Sequence, residues 1–198
     1  RRAAVTGRND AYERAARRSD VRFIDLTDYR AFREVGLRGL TVEGTERPGA
    51  RDRNGARNAL FADLLVTTGL RLEEASHLLA VEIPVGEVRS ERQQRVELPA
   101  ALTKGDRGRS MLLPRRLLPV FDAYIAVERA AAVAKFAQRR GWEAIDRPIF
   151  IHSPSFGQRA LPLVGGGTMD MEVVTPDERA RLVICADDGT PREAAVLW

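Results

Sequence analysis

Thr67-Thr68-Gly69-Leu70-Arg71-Leu72-Glu73-Glu74 is the stretch on which the reading of this chain turns. Upstream of it, Leu60, Phe61, Leu64 and Leu65 fall at i, i+1, i+4 and i+5, the apolar stripe of a helix that begins at Asn54. Gly69 is placed to stop that helix, because glycine enters the left-handed conformation of a C-terminal cap without steric cost. A second helix is expected at once, Arg71 to about Leu79, with Leu72, Ala75 and Leu79 on its buried face. Arg71 then opens a helix, where unpaired backbone N–H groups and the positive dipole end favour anions. Its guanidinium offers a bidentate fork to a phosphate. Glu74, three residues on, shares that helical face and can orient the guanidinium while the other edge of the fork stays free. An Arg–Glu pair at this spacing is also a common structural salt bridge, so the stretch alone leaves both readings open.

Working outward, residues 93–113 change period. Val96, Leu98 and Leu102, then Met111, Leu112 and Leu113, flank Lys104-Gly105-Asp106-Arg107-Gly108. Two glycines and an Asp between apolar runs predict a hairpin turn. A lysine on such a tip can reach into a groove, and it can act as a general acid where positive charge or desolvation lowers its pKa. Arg107 and Arg109 can grip phosphates on either side. The plain alternative is an exposed, solubilising turn. Pro114 and Pro119 bracket the start of the longest helix, expected to run to about Arg140 with Leu117, Leu118, Phe121, Tyr124, Ile125 and Phe136 on one face. On the N-terminal side, residues 41–53 read as a loop. Before it, Thr27 is expected to cap a helix over Asp28–Val35 that Gly36 ends, and Asn9 one running to about Arg18. Beyond Gly141 come short strand candidates, Ile149–Ile151, Leu182–Ile184 and Ala194–Leu197, and a flexible turn at Gly165-Gly166-Gly167. The expected class is α+β, mainly helical with a small antiparallel sheet.

The 198 residues suit one domain, or one domain and part of another. Hydrophobic residues at 44% and charged residues at 30% argue against wholesale disorder. Charged residues interrupt every apolar run, so no membrane span is expected. No charged-then-apolar leader opens the chain, and a cytoplasmic location is the default. The single cysteine, Cys185, rules out an intrachain disulfide and any multi-cysteine metal site. Net charge is +4 and unevenly spread: residues 1–58 hold 14 Arg against 9 acids, and residues 167–198 hold 3 basic against 7 acidic side chains. Such basic segments suit a polyanionic partner, of which nucleic acid is the commonest. Of the 32 basic residues only Lys104 and Lys135 are lysines. Arg never gives up its proton, so a lysine that persists in so Arg-rich a chain points weakly to lysine chemistry.

Thr-Gly-Leu-Arg-x-x-Glu on a helix pair, then Thr-Lys-Gly-x-x-x-Arg on a hairpin about thirty residues later, resembles the catalytic domain of the tyrosine recombinases, the phage-type integrases. Leu112-Leu113-Pro114-Arg115-Arg116 followed by a long helix is similar too, and the likeness covers roughly residues 22–140. The resemblance implies a metal-free, cofactor-free cleavage and rejoining of DNA through a 3′-phosphotyrosyl intermediate. It implies Arg71 as the first phosphate-binding arginine, Lys104 as the general acid that protonates the departing 5′ oxygen, and Glu74 as the supporting residue. Arg57, Arg107, Arg109 and Arg115 become candidate contacts to DNA phosphates. Residues 1–20 would end a preceding DNA-clamping domain or linker, and 21–198 would be the N-terminal part of the catalytic domain. Partners would be duplex DNA and further copies of the chain in a tetrameric synapse, with a nucleoid-associated location.

Two departures stand beside this. Neither His77 nor His152 begins the His-x-x-Arg of that family, and Tyr12, Tyr29 and Tyr124 all lie upstream of where its nucleophile belongs. The chain also runs from Arg1 to Trp198 and stops after an apolar run, so a fragment with a poorly packed tail is expected. The alternatives are a DNA-binding relative without the chemistry, such as a regulator or decayed integrase, and a plain α+β domain whose arginines reflect codon bias. Cys185, His152, Trp142, Trp198 and Tyr124 are expected to be packing or hydrogen-bonding residues.

Overall fold

The computed structural model describes residues 24–48, 54–86, 92–105 and 107–198. The expected helix from Asn9, the segment 1–20, Tyr12 and Asp106 lie outside the described residues. The architecture is mixed α+β. Helix α1, Leu26–Ala31, runs into a π-helical turn, Phe32–Leu37. Its cap is Asp25, not Thr27: the Asp25 carboxylate accepts from the Asp28 N–H at 2.8 Å. Gly36 does not stop it, because the turn carries on to Leu37. Helix α2, Gly55–Thr68, ends as its sequence predicts, with Gly69 in the left-handed conformation at φ 66°. Helix α3 is only Leu72–Ser76. It is shorter than expected because the chain leaves helical geometry at His77, and Leu72 is exposed while Ala75, Leu78 and Leu79 are buried.

Strands β1, Gln93–Leu98, and β2, Arg109–Pro114, form the expected antiparallel hairpin, with Leu98 opposite Arg109. The long helix follows in three parts: α4, Leu118–Tyr124, a π-helical turn, Ile125–Arg129, and α5, Ala130–Arg139. Leu60, Leu64, Leu78, Val96, Leu98, Met111, Leu113, Leu117, Phe121 and Tyr124 share one core. The period-2 burial of β1 and the helical stripe of α2 therefore meet as their patterns require.

The second half departs from the expected small antiparallel sheet. Strand β3, Ile149–His152, pairs in parallel with β6, Leu182–Cys185, and β7, Pro191–Ala194, pairs with β6 in antiparallel. A separate hairpin, β4 Ala160–Pro162 and β5 Thr168–Asp170, closes through the Gly165–Gly167 turn. Helix α6, Pro176–Arg181, is the crossover that lets β3 and β6 run parallel. Leu79, Ile151, Leu161, Val174, Leu182 and Ala195 form a second core.

The two cores meet at a seam. The Leu197 N–H donates to the Leu78 carbonyl, and the Ala80 N–H to the Ala195 carbonyl, each at 2.9 Å. Leu78 and Leu197 belong to the first core, Leu79 and Ala195 to the second. Leu78 and Leu79 thus divide between the two cores, and the C-terminal segment passes from the second core at Ala195 and Val196 to the first at Leu197. The tail is not loosely packed: Trp198 stacks edge-on against Phe61, with ring centroids 4.9 Å apart, and its Nε1 donates to the Ala75 carbonyl at 2.7 Å. Arg129, on the π-helical turn, holds the same segment through the carbonyls of Ala194 and Val196 and the Glu193 carboxylate.

Arg179 of α6 is wholly buried. Its Nη1 donates to both carboxylate oxygens of Glu82, at 3.0 and 2.9 Å, and Glu82 accepts the Leu79 N–H at 2.8 Å. Removing one member of a buried pair strands the other charge and costs about 3–5 kcal/mol. Arg179→Met should therefore lower the urea-denaturation stability by about that amount, and adding Glu82→Gln should restore part of it. A double variant no more stable than the single one would contradict this account.

Candidate functional site

The two motifs singled out in the sequence meet on one side chain. Glu74 is 1% exposed. Its Oε2 accepts the Arg71 N–H at 2.8 Å, and its Oε1 accepts from Arg71 Nη1 at 2.9 Å. The same Oε2 accepts from Arg109 Nη2 at 2.6 Å, across 35 residues of sequence. A carboxylate removed from water must have its lone pairs filled, and here the start of α3 and the start of β2 fill them.

A five-residue helix adds little dipole, and the Arg71 N–H is taken by Glu74. The charge that this end of the helix offers an anion is therefore mainly that of its arginine side chains. The Arg71 side chain is 59% exposed, so an edge of its fork faces solvent, and the Arg109 side chain is 37% exposed. Arg109 Nε is buried and has no hydrogen-bond partner. Two guanidinium groups around one carboxylate leave a surplus of one positive charge.

Burial pushes the Glu74 carboxyl up, but the hydrogen bonds from the Arg71 backbone and from the Arg109 and Arg71 side chains outweigh it, and its pKa lies below the ordinary carboxylate value.

Lys104 is exposed on the connection between β1 and β2. That connection is longer than a tight hairpin turn. It spans residues 99–108 and holds a short 3-10 turn, Ala100–Leu102. The Thr103 hydroxyl donates to the Arg107 carbonyl at 2.5 Å, closing the tip that carries Lys104 and Arg107. Arg107 is exposed. Since Arg109 closes the loop and sits on Glu74, the lysine loop is rooted at the two-arginine cluster.

Arg57 and Arg115 are not brought there. Arg57 lies near the start of α2, eleven residues from its end, or about 16 Å along the axis. It lines a cavity of about 210 Å³ with Tyr124, Phe136, Trp142 and Trp198. Arg115 follows β2 at the end opposite Arg109, about 20 Å away at strand rise. Spacing along the chain could not separate these arginines from the others.

Glu172 is the residue near this site that sequence reasoning missed. Its Oε2 accepts the Ala100 N–H at 3.2 Å, and its own carbonyl accepts the Ala101 N–H at 3.2 Å. A contact spanning 72 residues leaves no local signal.

Both described tyrosines are occupied. The Tyr29 hydroxyl donates to Asp63 Oδ1 at 2.8 Å, and burial with the adjacent carboxylate raises its pKa. Tyr124 is a core residue, 5% exposed, and burial raises its pKa as well. His152 ends β3, and the His77 ring nitrogen lies 2.9 Å from the Glu73 carbonyl. Cys185 is buried, and desolvation raises its thiol pKa. Among the described residues, no group of His, Cys, Asp and Glu has metal-site geometry, and no helix is long and apolar enough to cross a membrane.

Comparison with protein-family models, with curated proteins and with solved structures returns no match to this chain.

A carboxyl with a lowered folded-state pKa stabilises the fold above its unfolded value, and the contribution is lost as pH falls through the lowered value. Wild type should therefore lose stability on acidification below the ordinary value of 4.5 more steeply than Glu74→Gln does. Urea denaturation across that range checks this, and parallel slopes would contradict it.

Proposed function

We propose that this chain carries the front half of the active site of a tyrosine-type site-specific recombinase. The observation that supports the reading is the Glu74 junction. The Thr-Gly-Leu-Arg-x-x-Glu motif and the lysine hairpin, recognised separately in the sequence, share one buried carboxylate. Arg71 presents the open edge of its fork to a non-bridging phosphate oxygen. Lys104 Nζ passes a proton to the departing 5′ oxygen as the P–O5′ bond breaks and a tyrosine O–P bond forms. Glu74 holds Arg71 and Arg109 in place and does not touch the phosphate. Partners are duplex DNA and further copies of the chain, and the work is integration or excision of a mobile element by cells that keep the protein at the nucleoid.

A second reading, a DNA-binding relative without the chemistry, is favoured by the state of Tyr29 and Tyr124. The Tyr29 hydroxyl is bonded to Asp63, and Tyr124 is packed in the core. On either reading this polypeptide alone binds but does not cleave. Incubation with nicked duplex should yield no covalent adduct, and a trapped adduct would contradict that.

The test of DNA recognition uses the two lysines. After reductive ¹³C-methylation, titration with a mixed-sequence duplex should move the Lys104 signal and leave that of Lys135 in place. The double variant Arg71→Ala, Lys104→Ala should reduce the salt slope of duplex affinity by about two, one for each phosphate contact. An unmoved Lys104 signal and an unchanged slope would overturn the reading.

A further inference from the structure

The loop that carries Lys104 has two roots. One is Arg109, on Glu74. The other comes from the second half of the chain. Glu172 accepts the Ala100 N–H with its side chain and the Ala101 N–H with its carbonyl, so two successive amides at the start of the loop are bound to one residue. Glu172 is itself fixed, since it lies between Met171 and Val174 of the second core and its N–H donates to the Asp170 carboxylate at 3.0 Å. The far side of the loop is close as well. A Cβ on Gly108 would stand 3.3 Å from the Leu98 carbonyl oxygen and 3.7 Å from Glu172 Oε2. Ala100 and Ala101 are therefore bonded to Glu172, Gly108 has room for only a small side chain on the facing side, and Lys104 projects from the tip beyond this neck.

We propose that Glu172 is a positioning residue for Lys104: the β5–α6 segment clamps the neck of the lysine loop and sets where the ammonium group stands relative to Arg71. The inference rests on the reading of Lys104 as a DNA-contacting group. It also assigns a task to residues 141–198, whose net negative charge does not suit a surface that itself meets DNA. An unclamped loop leaves its lysine in many orientations and costs it the ordering entropy at each encounter.

The experiment compares Glu172→Ala with Glu172→Gln. Both remove one negative charge, but only Gln keeps an oxygen acceptor for the Ala100 N–H. In the free, ¹³C-methylated protein, Glu172→Ala should narrow the Lys104 signal and speed exchange of the Ala100 amide, while Lys135 stays unchanged. Affinity for a fluorescein-labelled mixed-sequence duplex should fall about threefold to tenfold, the range that one net hydrogen bond supplies. Glu172→Gln should keep the wild-type Lys104 signal and Ala100 exchange, and should bind the duplex about threefold to tenfold more tightly than Glu172→Ala. Gly108→Ala perturbs the same neck from the other side and should loosen the Lys104 signal in the same way, which keeps the test alive if Glu172→Ala folds poorly. Identical Lys104 signals and duplex affinities in the Ala and Gln variants would overturn the positioning role. If Lys104→Ala itself leaves duplex affinity unchanged, the DNA reading falls instead, and the signal of the free protein tells the two failures apart.

Discussion

A carboxylate shut away from water is the constraint around which this structure is arranged. Glu74 cannot remain charged at 1% exposure without donors on both oxygens. Three arrive: the N–H and the side chain of Arg71, and the side chain of Arg109. The first two come with the helix that bears the carboxylate. The third comes from the start of β2, so the hairpin must lie against α3 for the charge to be met. The same contact gathers positive charge at one place on the surface. On the proposed function, stability and phosphate recognition draw on this single geometry, with Glu74 orienting the guanidinium groups without touching the ligand.

The second half of the chain is attached with comparable economy. Leu78-Leu79 and Ala195–Leu197 run side by side, and each segment contributes side chains to both cores. Two arginines reinforce the seam from either side, Arg179 through Glu82 and Arg129 through the carbonyls of 194 and 196. Both are buried and bonded mainly to groups far away in sequence, while Arg179 Nη2 has no hydrogen-bond partner. This firm attachment is what allows Glu172 to serve as an anchor for a loop in the first half.

Local signals in the sequence specify much of the first half of the fold. The stripe of α2, its stop at Gly69, the β1–β2 hairpin and the packing roles of Tyr124 and Trp198 all follow from period, cap chemistry and residue type. The Arg71–Glu74 contact was legible because three residues on a helix define a distance. What escaped was set by tertiary contact. Leu72 opens a five-residue helix that buries Glu74 and Ala75 instead, and the parallel pairing of β3 with β6 depends on a crossover that strand patterns do not reveal. Arg57 and Arg115 carry the same charge as Arg109, and only the fold separates them from the cluster. Glu172 resembled any other acid in an acidic segment until the fold brought it to Ala100.

The most direct test of the account is the duplex affinity of Glu74→Gln at fixed salt. Removing a negative charge beside a DNA-binding surface should tighten binding if charge alone matters. The account predicts the opposite sign, weaker binding than wild type, because Arg71 and Arg109 lose the carboxylate that orients them. Binding that is equal or tighter would contradict the claim that Glu74 builds the phosphate site.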